Sequence, residues 1–339
     1  MPDAAYSKSS SLAQLLREGE NVAISHQLFA RMEIGDGLKE TIDELGYVLI
    51  LDEEIEVIEP IQVSNADKDM LFSTNRIAVR EDGYVQWLDD SYSGKFGAVK
   101  AMARSHTLLY YHNSFFMWLI RPDILAAFDN ITVMTFLFGG SFMKYYFDLH
   151  KVEYEICYVE DCVLHQGKQN LTEAKQTIKS LLHIYEGKLN TIGDKTTALS
   201  STWYSSNRGK IKALTNNCEN YLNHICHSSS DDALWTTFSE AQKRYPVHGY
   251  SKAFASCNLR ATNAYASRHN LAYLINVYQN PFIVGWFYDQ GISLDSDAIA
   301  LSQLLQWIWR SAIRNGEEVN LYLPSKRMRD ILNAWLCNL

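Results

Sequence analysis

Apolar and polar positions along the chain follow two rhythms, short unbroken apolar runs and longer stretches at helical spacing. Residues 12–17 have helical spacing, and Val22-Ala23-Ile24 reads as a short strand after them. Residues 38–45 read as a helix ended by Gly46. Tyr47-Val48-Leu49-Ile50-Leu51 is apolar without alternation, the pattern of a strand buried on both faces, and it stops at Asp52-Glu53-Glu54. Residues 77–79 and 84–87 flank Glu81-Asp82-Gly83, a hairpin signal. Residues 107–111 and 115–119 read as further strands, and Pro122 opens a helix towards Phe128. Ile131-Thr132-Val133-Met134 is a second buried strand, running into Thr135 and the pair Gly139-Gly140.

From about 165 to 230 the pattern is polar and helical, and Ser228-Ser229-Ser230-Asp231-Asp232 reads as a linker. Residues 253–256 are strand-like, 271–278 and 298–313 read as helices, 319–323 as a strand and 325–336 as a closing helix. Strands separated by helices predict an open α/β fold. The domains expected are 1–160, a helical linker or insert at 161–230, and 231–339.

The net charge of −8 hides an asymmetry: residues 1–202 carry 18 basic and 29 acidic side chains, residues 203–339 carry 13 and 10. A nucleic-acid surface is therefore expected on the second half. No apolar run is long enough to span a membrane, and the start of the chain lacks the apolar core of a secretory signal. Six cysteines without Cys-x-x-Cys spacing point to reduced thiols in a cytosol and away from zinc.

The sharpest chemical signal is Leu49-Ile50-Leu51-Asp52-Glu53. A buried parallel strand ending in Asp-Glu sets two carboxylates at the carboxyl edge of a sheet, where α/β proteins bind ligands. In nucleoside-triphosphatases such an aspartate holds magnesium on the phosphates and the glutamate orients the attacking water. The plainer reading is a pair of acids capping a following helix dipole. Gln306, Arg310 and Arg314 are spaced four apart, which predicts one helix face suited to phosphate, with Trp307 and Trp309 turned at least partly into the core. The plainer reading there is a solvated basic face. No window satisfies Gly-x-x-x-x-Gly-Lys-[Ser/Thr]; Ser93-Gly94-Lys95-Phe96 and Gly193-Asp194-Lys195-Thr196 come nearest, and both read as loops. Gly-x-Ser-x-Gly and His-Glu-x-x-His are also missing.

Taken in order, these segments resemble the DEAD/DEAH-box helicase-like proteins of superfamily 2 found in phages and prophages. Asn21-Val22-Ala23-Ile24-Ser25-His26-Gln27-Leu28-Phe29 is similar to the segment before that family's Walker B strand, and Leu49 to Glu53 to the strand itself, with Glu54 and Ile55 in place of the usual Ala-Asp or Ala-His. Val133-Met134-Thr135-Phe136-Leu137-Phe138 is similar to the strand that couples hydrolysis to domain movement. Cys257 to Tyr265, Leu305 to Arg314 and Tyr322 to Arg329 are similar to the family's later blocks. The resemblance covers nearly the whole chain.

It implies two RecA-like domains of P-loop NTPase type with mostly parallel sheets, the first lacking its N-terminal Walker A part. It also implies ATP and Mg²⁺ as cofactors of the complete family member. Asp52 would ligate magnesium, Glu53 would be the general base, and Gln306, Arg310 and Arg314 would serve the γ-phosphate across a cleft. Thr135, Thr262 and Asn263 would couple the site to movement. Ser25, His26, Lys252, Arg260, Lys326, Arg327 and Arg329 would contact DNA or RNA, in single-stranded form. Phage replication proteins are further implied partners, and the cytoplasm of a bacterial host the location. The alternative is a catalytically dead remnant that binds nucleic acid or a replisome.

Overall fold

A computed structural model describes residues 8–30, 36–258 and 262–338. Its first helices are α1 (Lys8–Arg17), α2 (His26–Ala30) and α3 (Asp36–Glu44), followed by strand β1 (Val48–Asp52). Then come β2 (Ile58–Ile61), α4 (Asn65–Ser73), β3 (Ile77–Val79), β4 (Val85–Trp87), α5 (Gly97–Arg104), β5 (Leu108–Tyr111) and β6 (Phe115–Leu119). Next are α6 (Pro122–Leu125), β7 (Asn130–Met134), α7 (Phe142–His150), β8 (Cys157–Glu160), β9 (Val163–Gln166), α8 (Thr172–Leu181) and β10 (Leu182–Ile184). The chain continues through α9 (Ser201–Ser206), α10 (Arg208–Asn220), β11 (Ala233–Thr236), α11 (Ser239–Arg244) and β12 (Asn270–Tyr273). It closes with α12 (Pro281–Asp289), α13 (Ser296–Ile308), β13 (Val319–Tyr322) and α14 (Lys326–Cys337).

Two compact units result. One comprises the chain up to Val152 together with Asn280–Leu294, the other Glu153–Gln279 with Asp295 onwards. In the first unit β1 and β7 form a parallel pair, Val48 opposite Asn130 through Asp52 opposite Met134. The helicase resemblance implies such a neighbouring pair for these two strands. The burial is not as expected. Leu49, Leu51, Ile131 and Val133 face the core, whereas Val48, Ile50, Thr132 and Met134 alternate onto an exposed face. Among the described residues the pair has no third strand.

Between β1 and β7 lies an antiparallel body: β2-β6-β5 with the β3–β4 hairpin beside it. Its core is Leu71, Ile77, Val85, Trp87, Phe96 and Leu108 with their neighbours. Antiparallel strands therefore outnumber parallel ones here, so a first domain with a mostly parallel sheet is not what folds. Helix α12 also belongs to this unit. Phe282 stacks on Phe115 with ring centroids 4.4 Å apart, and the Asp289 carboxylate accepts from Tyr111 and faces His112 Nε2 at 3.2 Å. Burial and the Asp289 charge push the Tyr111 phenol up to about 12.

The second unit holds a four-stranded parallel sheet in the order β10-β13-β12-β11. Every residue of β11 and β12 is buried. Asn270 to Tyr273 is thus a central strand and not the helix expected at 271–278. A short unbroken apolar run fits either element, and here its register against two neighbours decides. Residues 161–230 do not stand apart as a linker: β10 forms a sheet edge and α10 sends Ile211, Leu214 and Cys218 into the core around Trp235. Burial raises the Cys218 thiol. Side-chain caps start three of the later helices. Asp295 Oδ1 accepts from the Asp297 and Ala298 amides, and Ser325 Oγ from that of Met328. Asn280 caps α12, with Pro281 at its first position. No helix among the described residues is long and apolar enough to cross a membrane.

Candidate functional site

In the first unit, β1 delivers Asp52 and Glu53 to the carboxyl end of the parallel pair, and β7 delivers Thr135 beside them. Asp52 lies opposite Met134, and the Glu53 amide donates to the Met134 carbonyl at 2.9 Å. Glu53 is held at φ 74°, a left-handed conformation that costs a side-chain-bearing residue about 1 kcal/mol or more and that functional sites tolerate when the surroundings enforce it. The chain turns next through Leu137, also left-handed, and Gly139-Gly140 to Ser141, whose Oγ caps α7 by accepting from the Lys144 amide. The carboxylate pair and Thr135 therefore stand at the same end of the two strands.

A resident metal fits this edge poorly. Among the described residues no three His, Cys, Asp or Glu side chains gather as metal ligands would. Magnesium bound by one or two carboxylates relies on substrate phosphates for the rest of its shell.

In the second unit the helical face expected of Gln306, Arg310 and Arg314 is broken. Helix α13 ends at Ile308; Arg310 lies in the following turn and Arg314 in a 3₁₀ turn at Ala312–Asn315. A buried serine, Ser311, bonds back to the Ile308 carbonyl at that corner. Trp307 is buried as expected, but Trp309 is exposed. Arg314 Nη1 does reach Asn263 Oδ1 at 2.6 Å, and Thr262 Oγ1 accepts from the Ala264 amide. Two residues expected to couple and one of the expected arginines thus share one corner. It precedes β12 and β13, at the amino edge of their sheet.

The expected phosphate contacts divide. Arg329 is 8% exposed and its Nη1 donates to the Leu323 and Pro324 carbonyls. Arg327 is held by Asp297 at 2.6 Å, donates to Asn276 Oδ1 and the Val277 carbonyl, and stacks on Tyr278 at 4.2 Å. Both guanidinium groups hold the β13–α14 corner: that of Arg327 bonds through Nε, Nη1 and Nη2, and that of Arg329 is buried. Lys326 is exposed and pairs with Asp330, and Lys252 is exposed. Arg260 lies outside the described residues. Ser25 and His26 line a groove beside β1.

Sequence reasoning missed Asn276, the one polar residue in the apolar run 271–277, which clasps the Thr196 and Ala198 carbonyls as well as Arg327. It also missed Gly193. A Cβ there would stand 1.9 Å from the Pro324 oxygen, so the turn after β10 presses on the corner after β13. The contact joins two segments that follow the neighbouring parallel strands β10 and β13. In Gly193-Asp194-Lys195-Thr196 only the glycine is buried, and the other three residues are exposed.

Residues 176–336 match the family model described as the YonV C-terminal Rossmann-like domain, and residues 58–118 the YonV middle domain. The SPbeta prophage-derived uncharacterized protein YonV of Bacillus subtilis (strain 168) is 38% identical over 343 residues, spanning 98% of this chain and 83% of that protein. The chain belongs to the YonV family. The middle-domain match falls on the antiparallel body between β1 and β7, and the C-terminal match on the parallel sheet of the second unit. The YonV relative's prophage origin agrees with the phage character that the sequence resemblance implied. A DEAD/DEAH-box identity and a pair of RecA-like domains are not part of what the family match carries. No solved structure matches the chain.

Proposed function

We propose that this YonV-family chain is a helicase-like protein that binds single-stranded nucleic acid and, as these 339 residues, hydrolyses little or no ATP. The observation that carries the reading is the parallel pair β1–β7, with Asp52-Glu53 and Thr135 together at its carboxyl end. This is the arrangement in which a motor domain couples a magnesium-binding carboxylate to movement. The same pair lacks what hydrolysis requires. The sequence contains no Gly-x-x-x-x-Gly-Lys-[Ser/Thr] loop. Without backbone amides and a lysine on the β- and γ-phosphates, losses of about 10³ in rate or more are expected.

Nucleic-acid binding is assigned to the second unit. Residues 195–218 carry four bases and no acid. Arg208, Lys210 and Lys212 are exposed in the first turns of α10, whose amino terminus already carries positive dipole charge. The preceding helix α9 is fixed over the carboxyl ends of β11 and β12 by Tyr204, whose hydroxyl donates to the Leu274 carbonyl and accepts from Thr237. Lys326 follows β13 at the same edge. The test is phosphate release with and without single-stranded DNA or RNA, beside a fluorescence titration of a labelled oligonucleotide at two salt concentrations. We expect background hydrolysis unchanged by Glu53→Gln, and salt-sensitive binding that Lys210→Glu with Lys212→Glu weakens at least tenfold. Stimulated hydrolysis that Glu53→Gln abolishes defeats the first half of the proposal; binding indifferent to the double charge reversal defeats the second.

A further inference from the structure

Strand β1 has an open outer edge, and the fold shows which groups lie along it. The Tyr47 carbonyl accepts from the Asp129 amide and the Glu53 amide donates to Met134, so the odd-numbered residues of β1 bond to β7. In a parallel ladder the alternate residues then turn their backbone groups the other way. The amides and carbonyls of Val48, Ile50 and Asp52 face outward. Along that edge runs a groove of about 460 Å³, walled by Leu12, Leu16, Val22, Ile24, Phe29 and Phe128. Among the described residues no strand occupies it. The sheet face next to the groove is apolar and uncovered, with Val48 53%, Ile50 65% and Met134 51% exposed. Parallel strands are ordinarily covered on both faces, so such a face marks an interaction surface.

The charge around the groove says what kind of chain fits. Among the described residues that line the groove Asp52 is the one carboxylate, and the first unit as a whole carries 23 acidic and 13 basic side chains. A polyanion is repelled from this face, whereas a basic segment is drawn to it. We propose that the β1 edge is a docking slot for an extended, basic strand of a partner polypeptide, added to the sheet by β-augmentation. Backbone pairing with Val48, Ile50 and Asp52 supplies the binding; apolar side chains enter the groove and lie over Ile50 and Met134, and a basic side chain meets Asp52. Five residues of β1 offer about 17 Å of edge, enough for a strand of five or six residues. The slot is independent of the nucleic-acid reading of the second unit.

The test uses the full chain and three labelled hexapeptides, alternating Lys-Val, alternating Glu-Val and alternating Lys-Gly, followed by fluorescence anisotropy. The Lys-Val peptide is expected to bind at least tenfold tighter than Lys-Gly, which has the same charge without strand propensity, and Glu-Val is expected not to bind. Val48→Pro removes one outward amide at the first residue of the strand and leaves the bonds to β7 in place, so a loss of about tenfold follows. Ile50→Lys, which charges the exposed face without touching the backbone, is expected to abolish binding, and unchanged far-ultraviolet dichroism shows that both variants fold. Hydrogen exchange supplies the second readout: the amides of Val48, Ile50 and Asp52 become protected only when Lys-Val is added. Equal binding of Lys-Val and Lys-Gly overturns the proposal. So does protection of those amides in the free chain, which would mean that residues 21–25 already close the slot. A dimer that Ile50→Lys dissolves overturns it in favour of a second copy of this chain.

Discussion

Tyr47 to Leu51 in β1 and Leu271 to Leu274 at β12 are both unbroken apolar runs in parallel strands, yet Ile50 is 65% exposed and every residue of β12 is buried. The sequences are alike in kind; the neighbours are not. Strand β12 has β11 and β13 on its flanks and the α10 core against its sheet, whereas among the described residues β1 pairs with β7 alone. The carboxyl ends differ as well. In the Rossmann-like unit Gly193 packs directly against the Pro324 carbonyl, while at the end of β7 a Cβ on Gly139 would meet open space. A filled, covered parallel sheet acts as scaffold and presents its chemistry on added helices. An open one keeps its edge and Asp52 exposed.

The comparison breaks most readily at the two strands themselves. Leu271→Ala is expected to cost about 3 kcal/mol, the loss of a buried leucine with its residual cavity. Ile50→Ala is expected to stay within about 0.5 kcal/mol, as exposed substitutions do. Urea unfolding of the two variants checks this, and equal losses would show that β1 is covered in solution. The carboxyl ends sharpen the contrast next. Gly193→Ala should cost about 2 kcal/mol because the Pro324 backbone has to move, and Gly139→Ala less than about 0.5 kcal/mol. Thermal melts of this pair give the answer directly.

The smallest effect concerns the amino edge of the second sheet. His269 Nε2 lies 2.7 Å from Glu317 and Nδ1 2.7 Å from Asp232. The Glu317 bond first, then the Asp232 bond, raises its pKa above the usual 6.5. Protonated imidazole is thus favoured by folding. The stabilisation is fully present below the unfolded value and is lost as pH rises through the raised folded value. With the side chain 38% exposed, screening holds the contribution below about 1 kcal/mol. The fall in urea midpoint between pH 6 and pH 8.5 should shrink in His269→Gln; an unchanged pH dependence would assign it to another group.

Several elements were legible before the fold. The hairpin at Ile77–Val79 and Val85–Trp87 and the closing strand and helix follow from local pattern, because turn residues and apolar periodicity are enough to specify them, whereas the parallel adjacency of β1 and β7 was expected only from the helicase resemblance. Residues 22–24 were expected to be a strand and form none, since an apolar triplet becomes a strand only where an edge pairs with it. Arg327 and Arg329 looked like phosphate contacts because charge is visible in sequence and burial is not. Gln306, Arg310 and Arg314 kept helical spacing past the point where the helix ends at Ile308.

By itself the sequence determined the composition of each strand and cap, the acid pair that ends β1, and the excess of acids in the first unit over the second. These are properties of consecutive residues, set by torsional preference, side-chain chemistry and net charge. Only the tertiary structure decided which apolar runs are covered, which arginines turn inward, and that α12 joins the first unit while its chain neighbours build the second. Those outcomes depend on partners distant along the chain, because burial and hydrogen bonding are settled between surfaces that meet only when the chain has folded.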